Sequence, residues 1–208
     1  MTILWKPQFV KEAVTVVKEE LLFSSYCQIK KFNLRFPLFK GGISNIVSRE
    51  LLHRPSSVAV LLYDPQNDKV IMVEQFRTGA FNENNPWLLE IVAGVCEKEE
   101  NVEETAYREV EEETGCQILS LLPILSYLVS PGISDEKIYI YCAKVVAPIT
   151  GEIHGLVEEG EDIKVHVFSS EEVFELLSLG KIISSPAIIA LQWLKLNQLS
   201  LHFPPNTE

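Results

Sequence analysis

The residues of this chain best suited to carry out chemistry are the glutamates between Gly94 and Cys116. That segment reads GVCEKEENVEETAYREVEEETGC. Asn101, followed three residues later by Glu104, is typical of a capping box, and Gly115 is a typical end of a helix. The spacing therefore predicts a helix from Val102 to Thr114.

One face of this predicted helix mixes apolar residues with acids. At roughly 100° per residue, Val102, Ala106 and Val110 form an apolar stripe that must face the protein. Glu113 falls inside the stripe and Glu109 lies at its edge. Most glutamate-rich helices are simply exposed acidic helices, and this alternative fits the glutamates that point largely to water. Those residues are Glu103, Glu104 and Glu111.

Carboxylates that point toward the protein need a compensating cation. Glu112 lies a little further round on the same side as Glu109 and Glu113, and desolvation and mutual repulsion oppose the ionised form of all three. Arg108 is the only basic residue of the helix, so it can pair with one glutamate but cannot neutralise the set. Carboxylate oxygens suit Mg²⁺, or Mn²⁺ as an alternative, far better than zinc.

The same segment resembles the Nudix box, Gly-x5-Glu-x7-Arg-Glu-U-x-Glu-Glu-x-Gly-U, where U is a bulky aliphatic residue. The matching residues are Gly94, Glu100, Arg108, Glu109, Val110, Glu112, Glu113 and Gly115. Cys116 stands at the last aliphatic position, and Glu99 stands where many members have glycine. The resemblance implies a metal site and a structural ion pair between Glu100 and Arg108. The implied metal ligands are Glu109, Glu112, Glu113 and the carbonyl of Ala93, with Glu113 also counted as catalytic.

Outside the box, the sequence is similar to the ADP-ribose pyrophosphatase branch of that family. Pro131 matches the branch's proline downstream of the box, and the stretches 74–77 and 153–162 also resemble the branch. The resemblance implies that Glu159 is the base for the attacking water and that Glu161 is a further metal ligand. Which of the two is the base stays open, and the residues alone would indicate only a solvated acidic turn.

The resemblance also implies a set of substrate contacts. Arg77 matches a phosphate-binding position, although a surface salt bridge explains it nearly as well. Tyr26 matches an aromatic position that stacks on adenine from a partner subunit, and packing within a sheet is its alternative. The full predicted set is Tyr26, Arg49, Glu50, Arg77, Ser130, Pro131 and Gly132.

The elements that must position these residues are strands with a few helices that do not strictly alternate. Loose alternation over residues 12–40 predicts strands that turn at Gly41-Gly42. Further strands are predicted at Ser57–Tyr63, Lys69–Phe76, Trp87–Ala93, Ile118–Val129, Lys137–Val146 and Ile163–Phe168, with helices at Ser170–Leu179 and 184–196. This order predicts an α+β fold, a mixed α/β/α sandwich with a small N-terminal β-sheet region. We expect residues 1–55 to form that region, shared in a homodimer, and residues 56–200 to form the catalytic domain.

Composition narrows the range of partners. The net charge of −11 over 208 residues disfavours nucleic acid and anionic membranes. The four cysteines lack the paired spacing of a zinc site, and no apolar run has the length of a membrane span. We therefore expect a cytoplasmic protein that acts on a small nucleotide sugar.

The combined hypothesis is a magnesium-dependent hydrolase that cleaves ADP-ribose to AMP and ribose 5-phosphate. One alternative keeps the chemistry but changes the substrate to another nucleoside diphosphate sugar, such as GDP-mannose, or to a dinucleoside polyphosphate. A second alternative is a non-catalytic Nudix module that senses a nucleotide.

Overall fold

The computed structural model describes residues 5–98, 100–148, 151–156, 158 and 160–203. The chain divides into two compact units. Unit 1 comprises Met1–Arg54 and Leu128–Glu136, and unit 2 comprises Pro55–Tyr127 and Lys137–Glu208. The functional division at residue 55 stays a prediction.

Unit 1 contains a three-stranded antiparallel sheet. Its strands, in spatial order, are β1 (Thr15–Ser24), β2 (Gln28–Arg35) and β3 (Val47–His53). Gly41 and Gly42 have φ values of 92° and 80°, which glycine adopts without steric cost, and they form the predicted turn between β2 and β3. The hairpin turn between β1 and β2, at 25–27, carries no glycine or proline and was not predicted.

Unit 2 is built on an eight-stranded mixed sheet within the described residues. Its main path runs β10-β11-β5-β4-β9-β8, while β6 pairs with β5 and β7 pairs with β4. The strands are β4 (Ser57–Asp64), β5 (Lys69–Phe76), β6 (Trp87–Glu90), β7 (Val92–Val95), β8 (Ser120–Leu128), β9 (Lys137–Lys144), β10 (Ile153–His154) and β11 (Ile163–Ser169). Every residue of β4 is buried, as expected for a central strand covered on both faces.

The predicted strands of unit 2 are confirmed, with one correction. The predicted hairpin is β4 and β5, which pair antiparallel. The single run predicted over Trp87–Ala93 is instead two strands, β6 and β7, because the chain leaves β5 after Glu90 and pairs with β4 from Val92 onward. This switch places Gly94 opposite Val58.

Helices cover both faces of this sheet. The described part of the chain has three α-helices, α1 (Val102–Thr114), α2 (Ser170–Ser178) and α3 (Ser185–Asn197). Ala106 and Val110 of α1 pack with Val58 and Val60 in one core. The alternate β4 residues, together with Leu191 and Leu194 of α3, form a second core. The α/β/α sandwich predicted from the sequence is thereby confirmed.

Of the helices in the described ranges, none combines the length and the apolarity that crossing a bilayer requires.

Candidate active site

Helix α1 is fixed at both ends by local hydrogen bonds. The Asn101 side chain accepts from the backbone N–H groups of Glu103 and Glu104, at 3.0 and 2.9 Å, and the Glu104 carboxylate accepts from Asn101 N at 3.1 Å. Gly115 ends the helix with φ of 65°. The predicted capping box and helix bounds are confirmed, and they set the direction in which each glutamate points.

The burial of the helix glutamates follows the predicted division. Glu113 is only 2% exposed, whereas the Glu109 and Glu112 side chains are 13% and 29% exposed. Glu113 accepts hydrogen bonds from Ala93 N at 3.3 Å and from the Gln75 amide at 3.5 Å. The acids predicted to be solvated are all exposed, namely Glu103, Glu104 and Glu111.

Two of these carboxyl groups resist ionisation. Burial, followed by repulsion from Glu109, raises the pKa of Glu113 to about 8. Burial also raises the pKa of Glu109 to about 7, although the neighbouring Arg108 opposes that rise. Ionisation of both acids near neutral pH therefore calls for additional positive charge.

Arg108 bridges more acids than predicted. It contacts Glu100 through two nitrogens, at 3.0 and 3.1 Å, and also contacts Glu109 at 2.8 Å and Glu112 at 3.0 Å. The expectation that it pairs with one glutamate is wrong, because the planar guanidinium fork presents several donors at once. The Arg108 hydrogen bonds hold the pKa of Glu100 down to about 2, as suits a structural ion pair. A single cation, Arg108, thus pairs with three carboxylates, and its charge does not balance theirs.

Gly94 allows Glu109 to lie against strand β7. A Cβ atom at position 94 would overlap the Glu109 carboxyl group. A side chain there would have to displace the glutamate, so the first glycine of the box is a packing requirement of the acidic cluster.

Two other predicted residues of unit 2 lie near the acidic cluster. The charge of Arg77 opposes the rise in the pKa of Glu113, and the charge of Glu161 adds to it, so both side chains are within electrostatic range. Arg77 donates from Nε to Glu90 at 2.7 Å, and Glu161 accepts from Leu156 N at 3.1 Å. Glu159, the predicted base, lies outside the described residues.

The predicted contacts to the nucleoside belong to unit 1. Tyr26 is 81% exposed in the turn between β1 and β2, and the Arg54 guanidinium lies 5.6 Å from the centre of its ring. Such exposure is unusual for a residue that packs within a sheet. Arg49 and Glu50 are exposed on β3.

The loop that carries Ser130, Pro131 and Gly132 is joined to the end of β3. Leu52 N donates to Ile133 O at 2.8 Å, and a His53 ring nitrogen lies 2.6 Å from the Asp135 carboxylate. Strand β3 and this loop are therefore held together within unit 1. The structure thus groups the predicted contact residues in two sets, one in each unit.

Sequence reasoning missed Gln75 and Glu90. Both are buried polar residues that contact a predicted site residue, Glu113 and Arg77 respectively. The only signal was a polar residue inside or at the end of an apolar strand, which is too common to identify a site.

The donor set suits a hard divalent cation. Several carboxylates converge at one end of α1, two of them have raised pKa values, and the Ala93 backbone lies beside them. Within the described residues, no three acidic, histidine or cysteine side chains are arranged so that they could hold a metal ion as they stand. The ion pairs of Arg108 with Glu109 and Glu112 are one physical reason, because they draw both carboxylates toward the guanidinium.

Comparison with known proteins gives consistent matches. Residues 53–206 match the NUDIX domain family. An ADP-ribose pyrophosphatase of Haemophilus influenzae is 42% identical over 197 residues, which cover 93% of this chain and 91% of that protein. An ADP-ribose pyrophosphatase of Escherichia coli K12 is 39% identical over 194 residues, 93% of each chain. A crystal structure of an ADP compounds hydrolase superposes with a TM-score of 0.67 at 20% identity, over 88% of this chain and 94% of that one.

Proposed function

The chain belongs to the NUDIX domain family, and from this premise we propose that it is an enzyme that hydrolyses ADP-ribose to AMP and ribose 5-phosphate. The observation that carries the proposal is the juxtaposition of the buried Glu113 with the half-buried Glu109, whose raised pKa values indicate a site for added positive charge. The similarity to ADP-ribose pyrophosphatases over 93% of the chain supports the choice of substrate.

We propose Mg²⁺, with Mn²⁺ as an alternative, as the cation of this site. The residues that would hold it are Glu109, Glu112, Glu113, Glu161 and the carbonyl of Ala93. When bound, such a cation neutralises charge on the diphosphate and lowers the pKa of a water molecule. Arg108 pairs with the carboxylates of Glu109 and Glu112, which a cation would have to draw away from it, and Ala93 N and the Gln75 amide donate to the Glu113 carboxylate.

Other residues of the chain would act on substrate and water. Arg77 would bind a phosphate oxygen through its guanidinium donors. Glu159 would accept the proton of the attacking water, with Glu161 as the alternative base. Gly155 and Gly160 flank this segment with φ values of 101° and 72°, conformations that favour glycine.

The exposed residues of unit 1 would recognise the nucleoside. Tyr26 would stack on adenine, while Arg49, Glu50 and the loop 130–132 would contact the rest of the substrate. We also propose a homodimer, because β1 is an edge strand with exposed apolar residues, including Val16, Leu21 and Phe23. The four free cysteines support a cytoplasmic location.

A substrate panel tests the function. Purified protein with Mg²⁺ is given ADP-ribose, GDP-mannose and a dinucleoside polyphosphate, and products are separated by ion-exchange chromatography. We expect AMP from ADP-ribose and the highest kcat/KM for that substrate. A higher kcat/KM for GDP-mannose would change the substrate, and tight nucleotide binding without turnover would indicate a sensor.

A further inference from the structure

Arg77 follows the last residue of β5 but does not extend beyond the sheet. Its backbone is extended, and its N–H donates to Pro86 O at 2.9 Å, so the pairing of β5 with β6 continues through this residue. Its Nε donates to the Glu90 carboxylate at 2.7 Å. The position of the guanidinium is therefore determined by where Glu90 lies.

Glu90 lies well back along the sheet. It is the cross-strand partner of Val73, four residues before Arg77, a separation of about 13 Å along a strand at 3.3 Å per residue. Cross-strand partners share a face of the sheet, and side chains alternate along a strand. Since Val73 packs in the core beneath α1, Glu90, Gln75 and Arg77 are all on the α1 face.

This geometry turns the Arg77 side chain back over the sheet toward the acidic cluster. Gln75, which lies between Val73 and Arg77 on the same face, contacts Glu113 at 3.5 Å. The charge of Arg77 also counteracts the rise in the pKa of Glu113. Without an acceptor at Glu90, no described contact would hold the guanidinium back over the sheet.

The Glu90 carboxylate in turn depends on Arg77. Its side chain is 11% exposed, and a carboxylate at that depth is costly to leave unpaired. Among the described residues, Arg77 and Glu90 are each other's only ion-pair partner. Because that bond uses Nε, the Nη groups of Arg77 remain as donors for a second anion.

We propose that Glu90 is a positioning residue, whose carboxylate holds the Arg77 guanidinium over the α1 face of the sheet, where it meets an oxygen of the substrate diphosphate. The role of the diphosphate rests on the proposed function. The placement of Arg77 by Glu90 is independent of the proposed function.

A double-mutant cycle tests this proposal with ADP-ribose and Mg²⁺. We expect Glu90→Gln and Arg77→Ala each to lower kcat/KM by about 10- to 100-fold, because a displaced positioning group has that effect. In the Arg77→Ala background, Glu90→Gln should have less than about a twofold further effect, since its partner is already absent. Effects that multiply independently would overturn the proposal.

Glu74→Gln is the matched control. Glu74 is also a sheet carboxylate in an ion pair, with His166 at 2.8 Å, but it alternates with Val73 and Gln75 and so lies on the opposite face. This variant should keep kcat/KM within about twofold of the wild-type value. A loss as large as that of Glu90→Gln would mean that any break in the sheet's ion pairs lowers activity, and the specific role of Glu90 would be rejected.

A spectroscopic measurement separates this proposal from the proposed function. The ¹⁵N-¹H spectrum of arginine side chains, assigned by the signal missing from Arg77→Ala, should show a downfield and slowly exchanging Arg77 Nε–H. In Glu90→Gln, the shift and the exchange protection should be lost, while circular dichroism stays unchanged. If the wild-type protein releases no AMP, the proposed function fails, and this spectrum alone decides the role of Glu90. An unchanged Arg77 signal in Glu90→Gln would refute it.

Discussion

Without a divalent metal, the stability of this protein should fall as the pH rises from about 5.5 to about 8.5. In the folded chain, burial and the nearby Glu109 raise the pKa of Glu113 from 4.5 to about 8. Between these values the folded state binds more protons than the unfolded state, so the free energy of unfolding decreases with pH. The stabilisation is fully present below pH 4.5 and is lost as the pH passes through 8.

The magnitude of this loss of stability follows from the pKa shift of Glu113. At about 1.4 kcal/mol per pKa unit, the rise at Glu113 corresponds to about 5 kcal/mol. Glu109, whose pKa is raised to about 7, changes stability in the same direction. Because the two carboxyl groups interact, their contributions do not simply add, and the figure of about 5 kcal/mol refers to Glu113 alone.

Urea unfolding in EDTA at pH 5.5, 7.0 and 8.5 measures this effect. Glu113→Gln replaces the acid by a neutral amide of the same shape and retains all four histidines, so the difference between the two proteins isolates the carboxyl group. The wild-type protein should lose several kcal/mol over this range, and the variant should lose much less. At pH 8.5, Mg²⁺ in place of EDTA should raise the free energy of unfolding of the wild-type protein, and it should raise that of the variant much less. Parallel pH profiles for the two proteins would refute the reasoning.

Three further substitutions test the surroundings of the acidic cluster. Gly94→Ala should lower kcat/KM by at least about tenfold, because the new Cβ displaces the Glu109 side chain. Gly79→Ala is the control, since a Cβ at that position would meet no other side chain or backbone within 4 Å. Glu100→Gln should destabilise the protein by about 1–3 kcal/mol at pH 7 in urea unfolding. Because the pKa of Glu100 is held at about 2, that loss should shrink as the pH falls from 4.5 toward 2. Asn101→Ala should lower the free energy of unfolding by about 1 kcal/mol through loss of the cap, measured in the same way.

The features that could be predicted from the sequence are those set by local rules. Asn101, Glu104 and Gly115 specify the ends of α1 through hydrogen bonds to nearby backbone. Helical periodicity then fixes which glutamates are buried, so Glu113 could be distinguished from its exposed neighbour Glu111 before the structure was known. The α/β/α sandwich followed from the order of such elements.

The features that could not be predicted depend on pairing between distant segments. The chain changes its pairing partner from β5 to β4 at Ile91 because these two strands are neighbours in the sheet. The apolar sequence over Trp87–Ala93 does not reveal with which strand it pairs. The contact of Arg77 with Glu90 arises from strand register, and the extra partners of Arg108 arise from side-chain geometry. Sequence spacing alone carries neither kind of information.

The central claim is that the carboxylates of α1 bind a divalent cation that enables hydrolysis of ADP-ribose. The most direct test follows AMP release from ADP-ribose by the wild-type protein and by Glu113→Gln, each with Mg²⁺ and with EDTA. We predict rapid release of AMP and ribose 5-phosphate from the wild-type protein with Mg²⁺ and none with EDTA, and we expect the folded variant with Mg²⁺ to be at least about 100-fold slower. Wild-type activity that persists in EDTA, or a variant as active as the wild-type protein, would contradict the claim.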